Sequence, residues 1–279
     1  MAAEGTRGGA GASEDGAEAP RTDVFELFRL DGRTAIVTGG GRGLGEYMAE
    51  ALAEAGADVV LCSRKVEACE EVAEELREMG VGALAMRCDV TQEDDVKEVV
   101  SATVEEFGGV DILVNNSGTS WGAPAEEMPA DKVDKVLAVN VRGTFLMAKA
   151  VGNHMIDRGE GGAIINIASV AAFKGGRPGR MQAAGYNASK GAVVSLTRDL
   201  AGSWARYGIR VNAIAPGWFP TKMSRGLISM IEDELLAGIP LGRFGNPDDL
   251  KGVALLLASP AGAYMTGQTV VVDGGQLVW

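Results

Sequence analysis

Seven short runs of almost unbroken apolar residues recur along the chain, and most are followed by a stretch with helical spacing. The runs are 33–38 (RTAIVT), 58–62 (DVVLC), 83–87 (ALAMR), 111–115 (DILVN), 162–168 (GAIINIA), 210–215 (RVNAIA) and 269–272 (TVVV). A strand with apolar residues on both of its faces must be covered on both, which is the pattern of a parallel sheet packed between helices. The intervening helices are expected at 44–55, 66–79, 92–107 (opened by Thr91 as cap), 131–157, 186–207, near 224–237 and at 248–258. The expectation is an α/β fold: a single doubly wound domain with a seven-stranded parallel sheet and helices on both faces. The domain spans 24–279. Residues 1–23 (Ala, Gly, Glu and Asp with few large apolar side chains) read as a disordered tail. The longest strandless gap, 217–246, reads as a substrate lid.

Composition removes several classes of function. Asp and Glu number 38 against 26 Lys and Arg, a formal charge of −12, so neither nucleic acid nor an anionic membrane is expected as partner. The one histidine, His154, leaves little room for a Ser-His-Asp hydrolase or a His-rich metal site, and no metal is expected. Cys62, Cys69 and Cys88 are odd in number and lack CxxC spacing. They read as reduced, mostly buried thiols of a cytoplasmic protein. No apolar run has transmembrane length, and no secretory leader is evident.

The first strand runs into Thr38-Gly39-Gly40-Gly41-Arg42-Gly43-Leu44-Gly45 and then a helix. Glycines without Cβ atoms let the backbone turn tightly and let a pyrophosphate approach the helix N-terminus. An NAD site wants a carboxylate near the end of the second strand, to accept from the ribose 2′-hydroxyl. That region reads Leu61-Cys62-Ser63-Arg64-Lys65. It offers a hydroxyl and two cations, and Arg42 adds a third. Arg42 and Arg64 would neutralise a 2′-phosphate, so NADP(H) is preferred over NAD(H). Solvated surface cations would leave the same pattern.

Tyr186 and Lys190 lie four apart in Tyr186-Asn187-Ala188-Ser189-Lys190 and share a helix face. An ammonium near a phenol lowers its pKa, so the pair can do acid–base work on an alcohol or a carbonyl. Ser169 ends the fifth strand on the same sheet edge. Asn140 is a polar residue in LAVNV. It either holds a water that relays protons to Lys190 or is a satisfied core amide, and the spacing does not separate the two.

These motifs, taken in order, resemble the short-chain dehydrogenase/reductase family from about Phe28 onward. The matching stretches are TGGGRGLG, Asp89-Val90, NNSG at 115–118, Asn140, Ser169, YNASK, Pro216-Gly217 and DGG at 273–275. The resemblance implies a Rossmann domain, a nicotinamide cofactor and a catalytic tetrad. Tyr186 would be the acid/base, Lys190 would bind the nicotinamide ribose, Ser169 would orient the substrate oxygen and Asn140 would support a proton relay. Gly39, Gly41, Arg42, Gly43 and Leu44 would hold the pyrophosphate end, with Ser63 and Arg64 beside the adenosine. Asp89 and Val90 would meet the adenine, and Asn116 and Gly118 the ribose. Pro216, Gly217, Phe219 and Thr221 would border the nicotinamide. Ser117 stands where the family usually has Ala. The 17-residue separation of Ser169 and Tyr186 is longer than the family norm.

The extra residues form 174–184 (KGGRPGRMQAA), with Lys174, Arg177 and Arg180. This loop is either a solvated surface or a receptor for an anionic substrate group. Stretches such as PGWFPTKM and IPLGRFGNP resemble β-ketoacyl reductases, including rhamnolipid-type members, and gluconate 5-dehydrogenase-like enzymes. The expected activity is NADPH-dependent interconversion of a ketone and a secondary alcohol, with a β-ketoacyl thioester preferred over a keto-sugar. An isomerase or dehydratase and a nucleotide sensor are the alternatives on the same fold. Trp121, Trp218, Phe219, Met223 and Met230 would form an apolar pocket or pack the lid on the core. The resemblance also implies a homotetramer, or a dimer, with small residues Ala188, Gly191, Ala192 and Ala201 allowing close helix approach.

Overall fold

The computed structural model describes residues 22–176 and 182–278. The sheet holds β1 (Thr34–Thr38), β2 (Asp58–Ser63), β3 (Ala83–Arg87), β4 (Ile112–Asn115), β5 (Gly162–Ile167), β6 (Ile209–Pro216) and β7 (Thr269–Val272). All six pairings are parallel, in the order β3-β2-β1-β4-β5-β6-β7. The helices are α1 (Leu44–Glu54), α2 (Glu67–Glu78), α3 (Glu93–Phe107), α4 (Ala130–Leu137), α5 (Thr144–Arg158), α6 (Ala184–Trp204), α7 (Arg225–Leu236) and α8 (Asp248–Ala258). The strands fall within a residue or so of their expected places, and the fold class is the one expected.

The unbroken apolar runs have the anticipated cause. In β1 the side chains alternate between two separate cores: Ala35 and Val37 pack on one face and Ile36 on the other. In β2, Val59 and Leu61 face the first core while Val60 and Cys62 face the second. Helices α1, α2 and α8 cover one face through Met48, Leu52, Val72, Leu76 and Leu250. Helices α3, α5 and α6 cover the other through Val99, Met147, Val151, Met155 and Leu200. Fully burying a side chain such as Leu61 contributes about 2 kcal/mol.

Two expectations need correction. The helix expected over 131–157 is interrupted by a π-helical turn, Ala138–Gly143, centred on Asn140. Thr91 does not cap α3, because its hydroxyl donates to Asp89 Oδ1 at 2.8 Å and Gln92 takes the cap position without a side-chain bond. Of the small residues expected to let helices of neighbouring subunits approach, Ala201 is in the core of this chain. Ala188 is exposed, and a Cβ on Gly191 would meet open space. The tail 1–21, Arg177 and Arg180 lie outside the described residues.

At the sheet rim opposite the glycine loop, Asp111 Oδ2 accepts from Thr34 N–H at 2.9 Å, and Oδ1 accepts from Arg33 at 2.9 Å and from Arg158. Burial pushes this carboxyl up, but the Thr34 N–H and the two guanidinium groups outweigh it and hold it below the ordinary value. A carboxyl depressed in the folded state stabilises above its unfolded pKa and loses that contribution as pH falls through the folded value. Asp111→Asn is therefore expected to lower stability by about 2 kcal/mol at pH 7. The gap from wild type in urea midpoint should shrink as pH drops below about 4.

Candidate active site

Strand order reverses between β1 and β4, so the crevice beyond their carboxyl ends is where this architecture receives a ligand. The two strand ends are laced together there. Thr38 Oγ1 accepts from the N–H groups of Asn116 at 3.0 Å and Ser117 at 2.9 Å. Asn116 Nδ2 donates back to the carbonyls of Thr38 at 3.0 Å and Gly39 at 3.1 Å.

The glycine loop is compressed against this lacing. Gly39 and Gly43 have φ of +66° and +59°, a region that favours glycine. A Cβ on Gly45 would lie 2.5 Å from Asn116 Nδ2, and one on Gly41 would lie 2.6 Å from the backbone of Ala68. Glu46 Oε2 accepts from Gly43 N–H at 2.8 Å, and Leu44 opens α1 just behind. Around the loop stand Ser63 and Arg64 at the end of β2, and Asp89 with Val90 after β3. Asp89 Oδ1 accepts from Thr91 N–H at 3.0 Å, and Arg64 and Arg87 face this carboxylate. Ser63 Oγ donates to Lys65 O at 2.5 Å.

The second cluster lies at the ends of β5 and β6. Ser169 Oγ lies beside the Tyr186 phenol, whose pKa it lowers, and accepts from Ala171 N–H at 3.1 Å. Lys190 Nζ sits 5.6 Å from the centre of the Tyr186 ring and donates to Ile167 O at 2.6 Å. Asn140 is fully engaged: Oδ1 accepts from Thr119 N–H at 2.8 Å, and Nδ2 donates to Thr119 O at 2.9 Å and to Ser189 Oγ at 2.9 Å. Its side-chain amide is satisfied within the core and fixes the loop that follows β4. Gly118 faces the same interior, where a Cβ would lie 3.8 Å from Lys190 Nζ. Pro216 ends β6, and Gly217 packs so closely on Asp273 that a Cβ would meet its Cα at 2.8 Å.

Residues 39–276 match the profile of the family described as Enoyl-(Acyl carrier protein) reductase. Gluconate 5-dehydrogenase of Gluconobacter oxydans (strain 621H) is 40% identical over 252 residues, covering 90% of this chain and 96% of that protein. A short-chain type dehydrogenase/reductase from Mycobacterium marinum superposes with a TM-score of 0.88 at 40% identity, covering 91% of this chain and 99% of that one. The chain is a short-chain dehydrogenase/reductase. A gluconate 5-dehydrogenase from Burkholderia cenocepacia J2315, solved in complex with NADP and tartrate, superposes with a TM-score of 0.85 at 40% identity, covering 92% of this chain and 100% of that one. As a member of this family the protein is an oxidoreductase acting on CH–OH groups. Among the described residues no helix is long and apolar enough to cross a membrane.

The reductase's environment departs from the expected acid–base balance in one respect. Burial pushes the Tyr186 phenol above its ordinary value, against the lowering effect of the Ser169 bond. Burial also pushes the Lys190 amine down to about 8. Both groups therefore move toward their neutral forms. The lid segment is also more tightly packed than an open pocket: Phe219 is in the core, stacked where a Cβ on Gly245 would be, while Met223 and Met230 stand exposed. Sequence reasoning missed Thr119 and Ser189, the partners of Asn140, and Gln276. With its amide oriented by its two donors, Gln276 accepts from Trp218 Nε1 at 2.9 Å and from Lys174 Nζ at 2.6 Å. Ser189 was visible inside YNASK as a residue of the buried face, but Gln276 carries no local signal.

A buried lysine whose folded pKa is depressed costs stability below that value, and the cost disappears as pH rises toward the unfolded value. Lys190→Met should remove this dependence. Relative to the variant, wild-type stability is expected to rise by up to about 3 kcal/mol between pH 8 and pH 10.5, read from urea midpoints across that range.

Proposed function

We propose that this reductase interconverts a ketone and a secondary alcohol on a small polyhydroxy acid, using NADP(H). The observation that carries the reading is the convergence of Ser169, Tyr186 and Lys190 at the strand ends beside a glycine loop that has no room for Cβ atoms. A bound nicotinamide supplies hydride transfer to or from the carbonyl carbon. Gly39, Gly41, Arg42, Gly43 and Leu44 would hold the dinucleotide at the N-terminus of α1, where backbone N–H groups and the helix dipole favour anions. Arg64, Asp89 and Val90 would border the adenosine, Asn116 and Gly118 the adjoining ribose, and Pro216, Gly217 and Thr221 the nicotinamide. Phe219 would act from beneath, through the packing of its ring.

Tyr186 donates its phenolic proton to the oxygen that becomes the alcohol. A phenol held above its ordinary pKa is fully protonated at neutral pH, which suits a proton donor. Ser169 holds the phenol and is placed to donate to the same substrate oxygen. Lys190 replaces the lost proton from a site where its own pKa is about 8, close to neutrality. Asn140 is a positioning residue for Thr119 and Ser189. The names of the relatives favour a sugar acid over the acyl thioester expected from the sequence.

Tyr186→Phe is expected to lower kcat by about 1,000-fold or more while leaving the Kd for NADPH within about twofold, since only the proton donor is lost. NADPH consumption against keto-sugar acids, ketoacyl thioesters and aromatic ketones tests the substrate class. Turnover without any change in cofactor absorbance would instead indicate an isomerase or a dehydratase. Replacing Arg64 with Ala should raise the Kd for NADPH about tenfold or more and leave NADH nearly unchanged. Equal losses with both cofactors would remove the 2′-phosphate argument. We also propose a cytoplasmic homotetramer, favoured by exposed Phe145, Tyr264 and the apolar edge strand β7. Light scattering of the purified chain reads this directly, and a monomer would overturn it.

A further inference from the structure

We infer that Lys222 and Arg225, two cations of the segment after β6, clamp the dinucleotide's pyrophosphate and hold that segment down when the cofactor is bound. The inference rests on the nicotinamide-cofactor reading and adds two residues to it. A cleft of about 480 Å3 opens between the glycine loop and the lid, with Arg42, Gly43 and Glu46 on one wall and Thr221, Lys222 and Arg225 on the other. The two walls come close at Gly43, where a Cβ would lie 3.2 Å from the Thr221 methyl group.

The cleft is lined by three cations and one acid on a chain that is acidic as a whole. The chain has 38 acidic side chains for 26 Lys and Arg, and several cations elsewhere pair with acids. Arg243 pairs with Asp249 at 2.6 Å and Lys251 with Glu54 at 2.7 Å. Arg42, Lys222 and Arg225 form no ion pair with a carboxylate among the described residues. Glu46, the one acid in the cleft lining, spends its Oε2 on Gly43 N–H at 2.8 Å. Three cations facing one another across a cleft repel, and an anion placed between them turns that repulsion into attraction. The positive end of α1 opens at the same place and adds to the field.

The geometry selects the pyrophosphate over the 2′-phosphate. The cleft abuts Gly43 at the start of α1, and Arg64, the other residue assigned to the 2′-phosphate, is not in its lining. Two of the three cations belong to the lid and one to the loop between β1 and α1. A diphosphate in the cleft therefore ties the lid to the sheet, and the contact is the same for NADPH and NADH.

The test is a Lys222→Gln/Arg225→Gln double variant of the full chain. Calorimetry at low salt gives the Kd of NADPH, NADH and ADP-ribose, which keeps the pyrophosphate and lacks the nicotinamide. Chymotrypsin cleavage within 217–246 is followed with and without ADP-ribose. All three Kd values should rise about tenfold or more by a common factor. ADP-ribose should protect the segment in wild type but not in the variant. Because both side chains are exposed, the ligand-free Tm should be unchanged. Kd values within twofold of wild type, a loss confined to NADPH, or protection that survives in the variant would each overturn the clamp. A wild-type protein that binds neither dinucleotide would instead overturn the cofactor reading itself.

Discussion

The hydroxyl and carbonyl of Thr38 hold the two halves of the sheet together where the chain changes direction. The pairing of β1 and β4 ends at Val37 and Val114. The exchange of four hydrogen bonds among Thr38, Gly39, Asn116 and Ser117 ties the two segments together beyond that point. It also leaves the Gly39 carbonyl turned inward and Gly45 pressed on the Asn116 amide. The shape of the nucleotide end follows from this lacing more than from the glycines themselves, which only make it sterically possible.

The chemical end depends on a different constraint, the exclusion of water. Lys190 is one of the few charged side chains among the described residues to be buried, and its amine is satisfied by a backbone carbonyl rather than a carboxylate. A carboxylate partner would have held it firmly protonated. A neutral acceptor leaves its proton easier to release, and the same dry surroundings keep the proton on Tyr186. Asn140 belongs to this economy of polar groups. Every donor and acceptor of its amide is used within the loop and helix it joins, so it brings no stray polar atom to the site.

Much of the architecture was legible because both faces of the central strands are buried, as β1 shows with Ile36 against Ala35 and Val37. Binary pattern then reports burial directly. The glycine loop and the Tyr186–Lys190 spacing were legible for a similar reason, since each is a local pattern with one steric or geometric purpose. What escaped depended on distant partners. The engagement of Asn140 required knowing that Thr119 and Ser189 would meet it. The sign of the Tyr186 shift required the burial of its surroundings, which outweighs any help from the amine one turn away. The wider turn at Ala138–Gly143 left no mark in a run of apolar residues whose spacing suits a continuous helix.

That wider turn has a consequence for the register of everything after it. A π-helical turn accommodates one residue more than an α-helical one, and each residue of an α-helix advances the side chains by about 100°. Deleting one residue between 138 and 143 would restore uniform winding and rotate α5 against α4 by that angle. Met147, Val151 and Met155 would then leave the sheet for solvent, or Asn140 would leave the crevice. The extra residue is thus a phase shifter. It lets a single rod-like segment present an amide to the chemical end and an apolar stripe to the sheet, two demands that no uniformly wound helix of this length meets at once.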